Sequence, residues 1–418
     1  MRGLKVAVIG AGSTYTPEVV SGFIDRAGSL TVDELSLMDI NNDKLPIVAG
    51  LVKRIVQASG LKTRVVTTLS LEDALDGADY VLGQIRVGGL AARASDERTA
   101  LASNLLGQET TGIVGMMKGI RTIPAVLNIA ETMARLSKPG AWLINFSNPS
   151  GMVAEAVLNR TGVNMVGLCN SPINTIKHYQ NKYPGRQVGI RYVGLNHLAF
   201  VVDVFVDGAS VMPELLEQAG KAYEEISNDS YLALPTALLQ AIPVLPCSYV
   251  SYYYFRDRKI KELQAKPTTR GEDCLVNEAE VLKEYADETL CSVPDSLKNR
   301  FGANYSTAAV SLIDAIENDL HSVHILNVRN EGAYPFMAHD DVVEVACVAS
   351  RTGIRPISFG PFDQLYVTGL MQAVKAYEKL TVKAAITGEK HYALAALMTH
   401  PLVGDYDRAI AALNSIWR

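Results

Sequence analysis

The chain opens with an apolar run, Leu4-Lys5-Val6-Ala7-Val8-Ile9, that leads straight into a glycine turn. Short apolar runs then alternate with amphipathic stretches, and that alternation predicts βαβ units. Strands are predicted over Lys5–Ile9, Glu34–Ile40, Thr63–Thr68, Tyr80–Arg86, Trp142–Phe146 and Asn164–Leu168. Helices are predicted from the glycine turn to about Asp25, and over Lys44–Ser59, Ser70–Asp76, Thr122–Leu136 and Gly151–Asn159. Pro124 would then fall in a first helical turn, where proline is tolerated. After about Tyr192 the pattern changes. His197–Val206 alternates like antiparallel strands, and a strand pair is predicted near Ser322–Asn327 and Val342–Val348. Helices are predicted over Pro213–Ala222, Tyr231–Gln240, Val276–Asp287, Ala308–Asn318, and from Gln364 through Leu380 towards the C-terminus.

A length of 418 residues suggests two domains. The expected division is a doubly wound α/β domain over 1–192 and an α+β domain over 193–418. The hydrophobic share of 48% and charged share of 20% are those of a soluble globular protein. A formal net charge of −5 argues against a nucleic-acid partner, yet leaves room for a small anionic substrate. Five cysteines, odd in number and without a CxxC pair, make neither a disulfide framework nor a structural zinc module. A reducing, cytoplasmic location is expected from them. No signal-peptide pattern precedes the first strand. No uninterrupted apolar run reaches the roughly 18 residues of a membrane span, so no membrane partner is expected.

Val8-Ile9-Gly10-Ala11-Gly12-Ser13-Thr14-Tyr15 lies between a predicted strand and helix, the context in which a GxG turn points to a dinucleotide. The first domain is therefore expected to be Rossmann-like. Gly10 permits the tight turn, Gly12 lets backbone approach a pyrophosphate, and Ser13 and Thr14 lead into a helix N-terminus that favours anions. Tyr15 stands where a third glycine is usual, so helix–strand spacing widens or its side chain turns to the ligand. Asp39 closes the second strand, where a carboxylate accepts from ribose hydroxyls and favours NAD; the alternative is capping of the next helix. Asn145 and Asn148 end another strand with amides suited to nicotinamide or a substrate hydroxyl, although Asn148 could equally cap a helix.

Arg86 and Arg93 flank a glycine pair just past a strand, and arginine's planar fork suits phosphate. The plain alternative, most of all for Arg98, is a surface ion pair with Asp96 or Glu97. Gln108-Glu109-Thr110-Thr111-Gly112 is a dense polar run that either binds sugar hydroxyls or lines a loop. Gly167-Leu168-Cys169-Asn170 and Gly194-Leu195-Asn196-His197 bring a thiol and an imidazole to two strand ends. A thiolate and an imidazole can share a divalent metal. Two ligands are too few for structural zinc and fit an open catalytic site. Singly, a buried cysteine and a lone histidine are ordinary core residues. Tyr249, Tyr252 and Tyr253 share one face if their segment is helical, as a base near a metal or as packing. Arg270 is a second candidate anion clamp, or an exposed cation.

Taken together these motifs resemble glycoside hydrolase family 4, the NAD- and metal-dependent glycosidases. The resemblance runs over essentially the whole chain: Val-Ile-Gly-Ala-Gly-Ser-Thr-Tyr-Thr-Pro, Arg-Val-Gly-Gly-Leu-Ala-Ala-Arg, Gly-Gln-Glu-Thr-Thr-Gly, Ile-Asn-Phe-Ser-Asn-Pro-Ser-Gly-Met, Gly-Leu-Cys-Asn-Ser-Pro, Gly-Leu-Asn-His and His400-Pro401-Leu402-Val403. It implies a divalent metal, usually manganese, on Cys169 and His197, with NAD oxidising the sugar at C3. A tyrosine then removes the C2 proton, the aglycone leaves by elimination, water adds, and the ketone is reduced again. The resemblance implies Tyr249 as that base, with Tyr252 and Tyr253 behind it. It also implies Arg93 and Arg270 for a substrate phosphate and Asn170 beside the metal cysteine, while Glu109 of the polar run and Asn148 of the strand end remain expected on the substrate. Asn170 favours β-linked 6-phosphoglucosides. A homodimer or homotetramer and a two-domain plan like that of lactate and malate dehydrogenases are implied as well. The sequence departs from the family at Gly112–Gly115 and at Arg300–Tyr305. The competing expectations are a plain NAD-dependent 2-hydroxy acid dehydrogenase and a non-enzymatic nucleotide sensor.

Overall fold

The computed structural model describes residues 2–225, 234–300 and 305–417. The first half contains β1 (Gly3–Ile9), α1 (Thr16–Asp25), β2 (Thr31–Met38), α2 (Lys44–Ser59), β3 (Arg64–Thr68), α3 (Leu71–Leu75), β4 (Tyr80–Gly83), α4 (Gly89–Ala102), α5 (Gly112–Leu136), β5 (Trp142–Asn145), α6 (Ser150–Arg160) and β6 (Asn164–Gly167). These six strands are parallel, in the order β3-β2-β1-β4-β5-β6. Helices cover both faces, so the central strands read as continuous apolar runs: Val6, Ala7 and Val8 of β1 are fully buried. The strand order reverses between β1 and β4, and a crevice opens at the carboxyl ends of the strands there.

The second half follows with α7 (Asn170–Lys182), β7 (Val188–Leu195), β8 (Leu198–Val206), β9 (Ala209–Ser210), α8 (Met212–Glu225), α9 (Thr236–Ala241), β10 (Leu245–Pro246), α10 (Ser251–Tyr254), α11 (Arg256–Gln264) and α12 (Arg270–Tyr285). It ends with α13 (Tyr305–Glu317), β11 (Ser322–Arg329), β12 (Val342–Ser350), β13 (Gly353–Pro356), α14 (Leu365–Thr387), α15 (Lys390–Thr399) and α16 (Tyr406–Ile416). Its strands extend the same sheet. The β11–β12 hairpin lies between β6 and β7, and β8 and β10 follow, all antiparallel. Residue 192 lies inside β7, so the sheet runs unbroken through that point. The α/β expectation holds, with a Rossmann-like half followed by an α+β half.

Several boundaries differ from expectation. Strand β4 ends at Gly83, and an unforeseen helix, α4, carries Arg93 and Glu97. Helix α5 starts at Gly112 rather than Thr122, which places Pro124 inside it. Gly112, Gly115, Gly119 and Pro124 are weak helix formers, so local propensity hid its first ten residues. Packing explains the glycines: a Cβ on Gly115 would lie 2.5 Å from the Thr110 carbonyl carbon, and one on Gly119 3.1 Å from Met152 Sδ. Pro124 lies on the exposed side of the helix. By length and composition α5 could cross a membrane, but 67% of that apolar stretch is buried against the rest of the chain. The final helical pattern breaks into three helices at Gly388 and at the turn after His400. The helix expected over Tyr231–Gln240 begins outside the described residues and is seen as α9; most of the Arg300–Tyr305 departure also lies outside them.

Candidate active site

The glycine turn forms one wall of a cleft of about 730 Å³ at the β1/β4 reversal. Gly10, Gly12, Ser13, Tyr15, Asp39 and Asn148 line it. Gly10 has φ +89°, and a Cβ there would lie 2.9 Å from Gln84 O, so the turn requires glycine. Asp39 does not cap the next helix: its Oδ2 accepts from Gly12 N at 2.8 Å and its Oδ1 from Asn41 N at 2.8 Å. It therefore pins the turn at the height of the cleft. Tyr15 lines the cleft where a third glycine is usual. Two residues expected at the cofactor do not line the cleft. Thr14 is fully buried, and its carbonyl accepts from the Tyr285 hydroxyl at 2.6 Å. Asn145 is also buried, and its amide bonds twice to the backbone of Ser147, shaping the turn that presents Asn148.

Beside the cleft lies a cluster of buried charges. The Glu109 carboxylate accepts from Arg86 and Lys118 on Oε1 and from Arg93, at 2.8 Å, on Oε2. Burial alone would raise its pKa, but Lys118, Arg86 and Arg93 outweigh burial and hold it well below the usual carboxylate range. Lys118 is pushed down to about 7 by burial and by Arg86. Arg93 also bonds Glu97 Oε1 at 2.7 Å, and Glu97 Oε2 accepts from Gly271 N at 2.7 Å. Arg270 opens α12 behind a Thr269/Glu272 capping box. The α4/α12 crossing thus brings the two arginine-bearing helix segments together. Arg98 forms a surface ion pair, but with Glu272 instead of the expected Asp96 or Glu97, which pair with Arg121 and Arg93.

Cys169 is the N-cap of α7, and Ser171 N donates to its Sγ at 3.4 Å. His197 occupies the two-residue turn between β7 and β8 with φ +63°, a left-handed conformation that non-glycine residues hold only at some cost. His197 Nε2 lies 3.3 Å from Cys169 Sγ. At zinc's ordinary lengths of about 2.3 Å to sulfur and 2.1 Å to nitrogen, two donors on one ion at angles of about 90–109° stand about 3.1–3.6 Å apart, so the pair is close enough to share an ion. Burial pushes the imidazole down to about 4, which keeps it neutral and able to coordinate. The Cys169 thiol is pushed well up, first by burial and then by Glu344. A divalent cation reverses that preference, because a coordinating thiol gives up its proton. Among the described residues no group of three or more His, Cys, Asp or Glu converges for a metal, so the Cys169–His197 pair has no third such residue beside it.

One supporting residue went unforeseen. The Thr110 hydroxyl donates to Gln108 Oε1 at 3.0 Å, and its oxygen then accepts from His197 Nδ1 at 2.6 Å. That tautomer leaves the Nε2 lone pair facing sulfur. The polar run Gln108–Gly112 was the signal; it frames the site instead of merely lining a loop. Thr111 likewise bonds the Tyr253 hydroxyl at 2.9 Å and His400 Nε2 at 2.7 Å. The Tyr249 ring stacks on His197 at 4.0 Å and 20°. Tyr253 is committed to Thr111, and burial raises the phenols of both Tyr252 and Tyr253. Asn170 sits beside the pair, its Oδ1 4.0 Å from Cys169 Sγ.

Fold and site together define a class: a dinucleotide-type α/β protein with a thiol–imidazole pair joined through Thr110 and the Glu109–Lys118 ion pair to the wall of the nucleotide crevice. Family models described as "Family 4 glycosyl hydrolase" and "Family 4 glycosyl hydrolase C-terminal domain" match residues 5–182 and 192–403. The chain belongs to glycoside hydrolase family 4. The probable 6-phospho-β-glucosidase of Bacillus subtilis (strain 168) is 42% identical over 413 residues, 96% of this chain and 93% of that protein. A solved 6-phospho-β-glucosidase from Thermotoga maritima, with manganese, NAD+ and glucose-6-phosphate, superposes at a TM-score of 0.91 and 34% identity, covering 99% of this chain and 97% of that one. The malate dehydrogenase of Plasmodium falciparum shares the fold alone, at a TM-score of 0.53 and 13% identity, covering 92% of this chain and 99% of its own. The expected dehydrogenase-like plan is borne out by that likeness.

Proposed function

We propose that this chain hydrolyses 6-phospho-β-glucosides, using NAD and a divalent metal, manganese foremost, as catalytic groups that are regenerated each turnover. The carrying observation is the 3.3 Å approach of Cys169 Sγ to His197 Nε2, with His197 in the field of Glu109 and Lys118, of which Lys118 lines the glycine-turn cleft. When bound, the nicotinamide accepts and returns a hydride, and the cation draws electron density from the sugar's oxygens. The bond changes served are C3 oxidation, C2 deprotonation, elimination of the aglycone, water addition and re-reduction. Tyr249 takes the C2 proton. Its ring stacks on the His197 face, beside the pair proposed to hold the metal.

Gly10, Gly12 and Ser13 receive the pyrophosphate, Asp39 holds the turn and meets the ribose, and Thr14 and Asn145 shape those walls from behind. Asn148, Asn170 and Glu109 face the sugar. Arg93 and Arg270 take the 6-phosphate at the α4/α12 crossing, where Arg93 exchanges part of its bond to Glu109 for the phosphate. Residues 1–192 carry the nucleotide, and 193–418 complete the metal and substrate site. The protein works in the cytoplasm as a homodimer or homotetramer. The dehydrogenase alternative is left with a shared fold, and His197 is better used beside Cys169.

The test is an aryl 6-phospho-β-glucoside assayed with NAD, Mn2+ and reductant, beside its α-linked and unphosphorylated analogues. Many turnovers per NAD are expected on the phosphorylated β-glucoside only, abolished by a chelator. Stoichiometric build-up of NADH without aglycone release would return the protein to the dehydrogenases.

A further inference from the structure

Four residues stand in one register row across the junction of the two halves. Gly167 of β6 lies opposite Asn327 of β11, Asn327 opposite Glu344 of β12, and Glu344 opposite Gly194 of β7. Cys169 follows shortly after one end of the row and His197 shortly after the other. Each junction is thin. β11 meets β6 at a single residue pair, and β12 meets β7 at a single residue pair. The separation of thiol and imidazole therefore depends on what bridges β6 to β7 across the hairpin.

Side chains supply that bridge. Asn327 Nδ2 donates to Gly167 O at 3.3 Å and to Glu344 Oε1 at 3.2 Å. Glu344 Oε2 accepts from the Tyr192 hydroxyl at 2.5 Å, and Oε1 accepts from Asn196 Nδ2 at 3.4 Å. Asn196 is the other residue of the His197 turn. The Tyr334 hydroxyl closes the row, donating to Glu344 O at 2.8 Å and accepting from Gly194 N at 3.4 Å. Asn327 and Glu344 are each 1% exposed. A carboxylate inside Val342-Val343-Glu344-Val345 is costly to bury, and both its oxygens are spent on the walls of the thiol–imidazole pair. Groups that orient metal ligands govern affinity without touching the ion.

We infer that Glu344 is a positioning residue for the divalent metal: through Asn327 to β6, and through Tyr192 and Asn196 to β7, it sets the distance at which Cys169 and His197 meet. This rests on the metal reading of that pair. The test uses the full chain and Co2+ as probe, because a cobalt–thiolate bond gives a charge-transfer band that reports Cys169 directly. Wild type is titrated beside Glu344→Gln, which keeps the side chain's shape, and Tyr192→Phe, which removes one donor and serves if the first variant does not fold. The Kd for Co2+ is expected to rise about 10- to 100-fold in Glu344→Gln and by a smaller factor in Tyr192→Phe, with the band shifted and NAD affinity unchanged. Wild-type Co2+ affinity and an unshifted band in the folded variants overturn the inference. A wild-type protein that shows no charge-transfer band at all removes the metal pair itself, a distinct failure.

Discussion

At the scale of single residues, the site is held by neutral imidazoles. His197 is pushed down to about 4 and His400 to about 3, both by burial. His400 is locked between Leu402 N, which donates to Nδ1 at 3.1 Å, and Thr111, so it has no room for a charged state. Below an unfolded-chain pKa of about 6.5, the unfolded state takes up a proton that each folded ring refuses, so stability falls as pH falls from about 6.5 towards 4. Glu344, raised to about 7 by burial, acts with the opposite sign over part of that window. A His400→Gln variant isolates one ring, because the Glu344 contribution is common to both proteins. Urea unfolding at pH 7 and pH 5 is expected to show wild type losing about 2 kcal/mol more than the variant over that interval. Equal losses would mean that His400 is protonated in the folded state.

At the scale of elements, the α4/α12 crossing decides where the two proposed phosphate arginines meet. Gly271 makes it possible: a Cβ there would lie 2.7 Å from Ala94 N, a backbone atom with little freedom to retreat. Gly271→Ala should push the helices apart, cost about 1–3 kcal/mol and break the Gly271 N bond to Glu97. Its expected kinetic signature is a raised KM for the 6-phosphorylated glucoside with kcat much less affected; an unchanged KM would place phosphate recognition elsewhere. This crossing also marks the limit of the sequence. The parallel strands, the glycine turn and both members of the thiol–imidazole pair were legible, because strand periodicity and turn chemistry are local. Helix α4 was not, since its alanines, glycines and charges form no clear apolar stripe; Asp96 and Glu97 are buried only through partners on α5 and α12. The start of α5 was hidden for a related reason, its glycines being chosen for close packing rather than for helix propensity. Glu344 carried a signal, a lone carboxylate in an apolar strand, but its partners on β7 and β11 come from the sheet order.

At the scale of the whole molecule, the two halves are interlocked. Strand β6 would be an open sheet edge without β11. Helices of the second half close over the first, with α13 packed on α1, α12 on α2 and α4, and α14 on α5 and α6. One sheet and one dominant hydrophobic core therefore run through both halves. Neither half can lose its structure without uncovering apolar faces of the other, so unfolding should be cooperative across the chain. Its two tryptophans fall on opposite sides: Trp142 begins β5, and Trp417 follows α16 while packing against the core. Trp417→Phe leaves Trp142 as the reporter of the nucleotide half, and Trp142→Phe leaves Trp417 to report the other. Each variant's fluorescence is expected to change at the same urea concentration as its own far-UV circular dichroism, the mark of a two-state transition. Fluorescence that moves before the circular dichroism in one variant, and after it in the other, would show that the halves melt separately despite the shared sheet. It would also mean that the β11–β12 hairpin couples the thiol of one half to the imidazole of the other less firmly than its hydrogen bonds require.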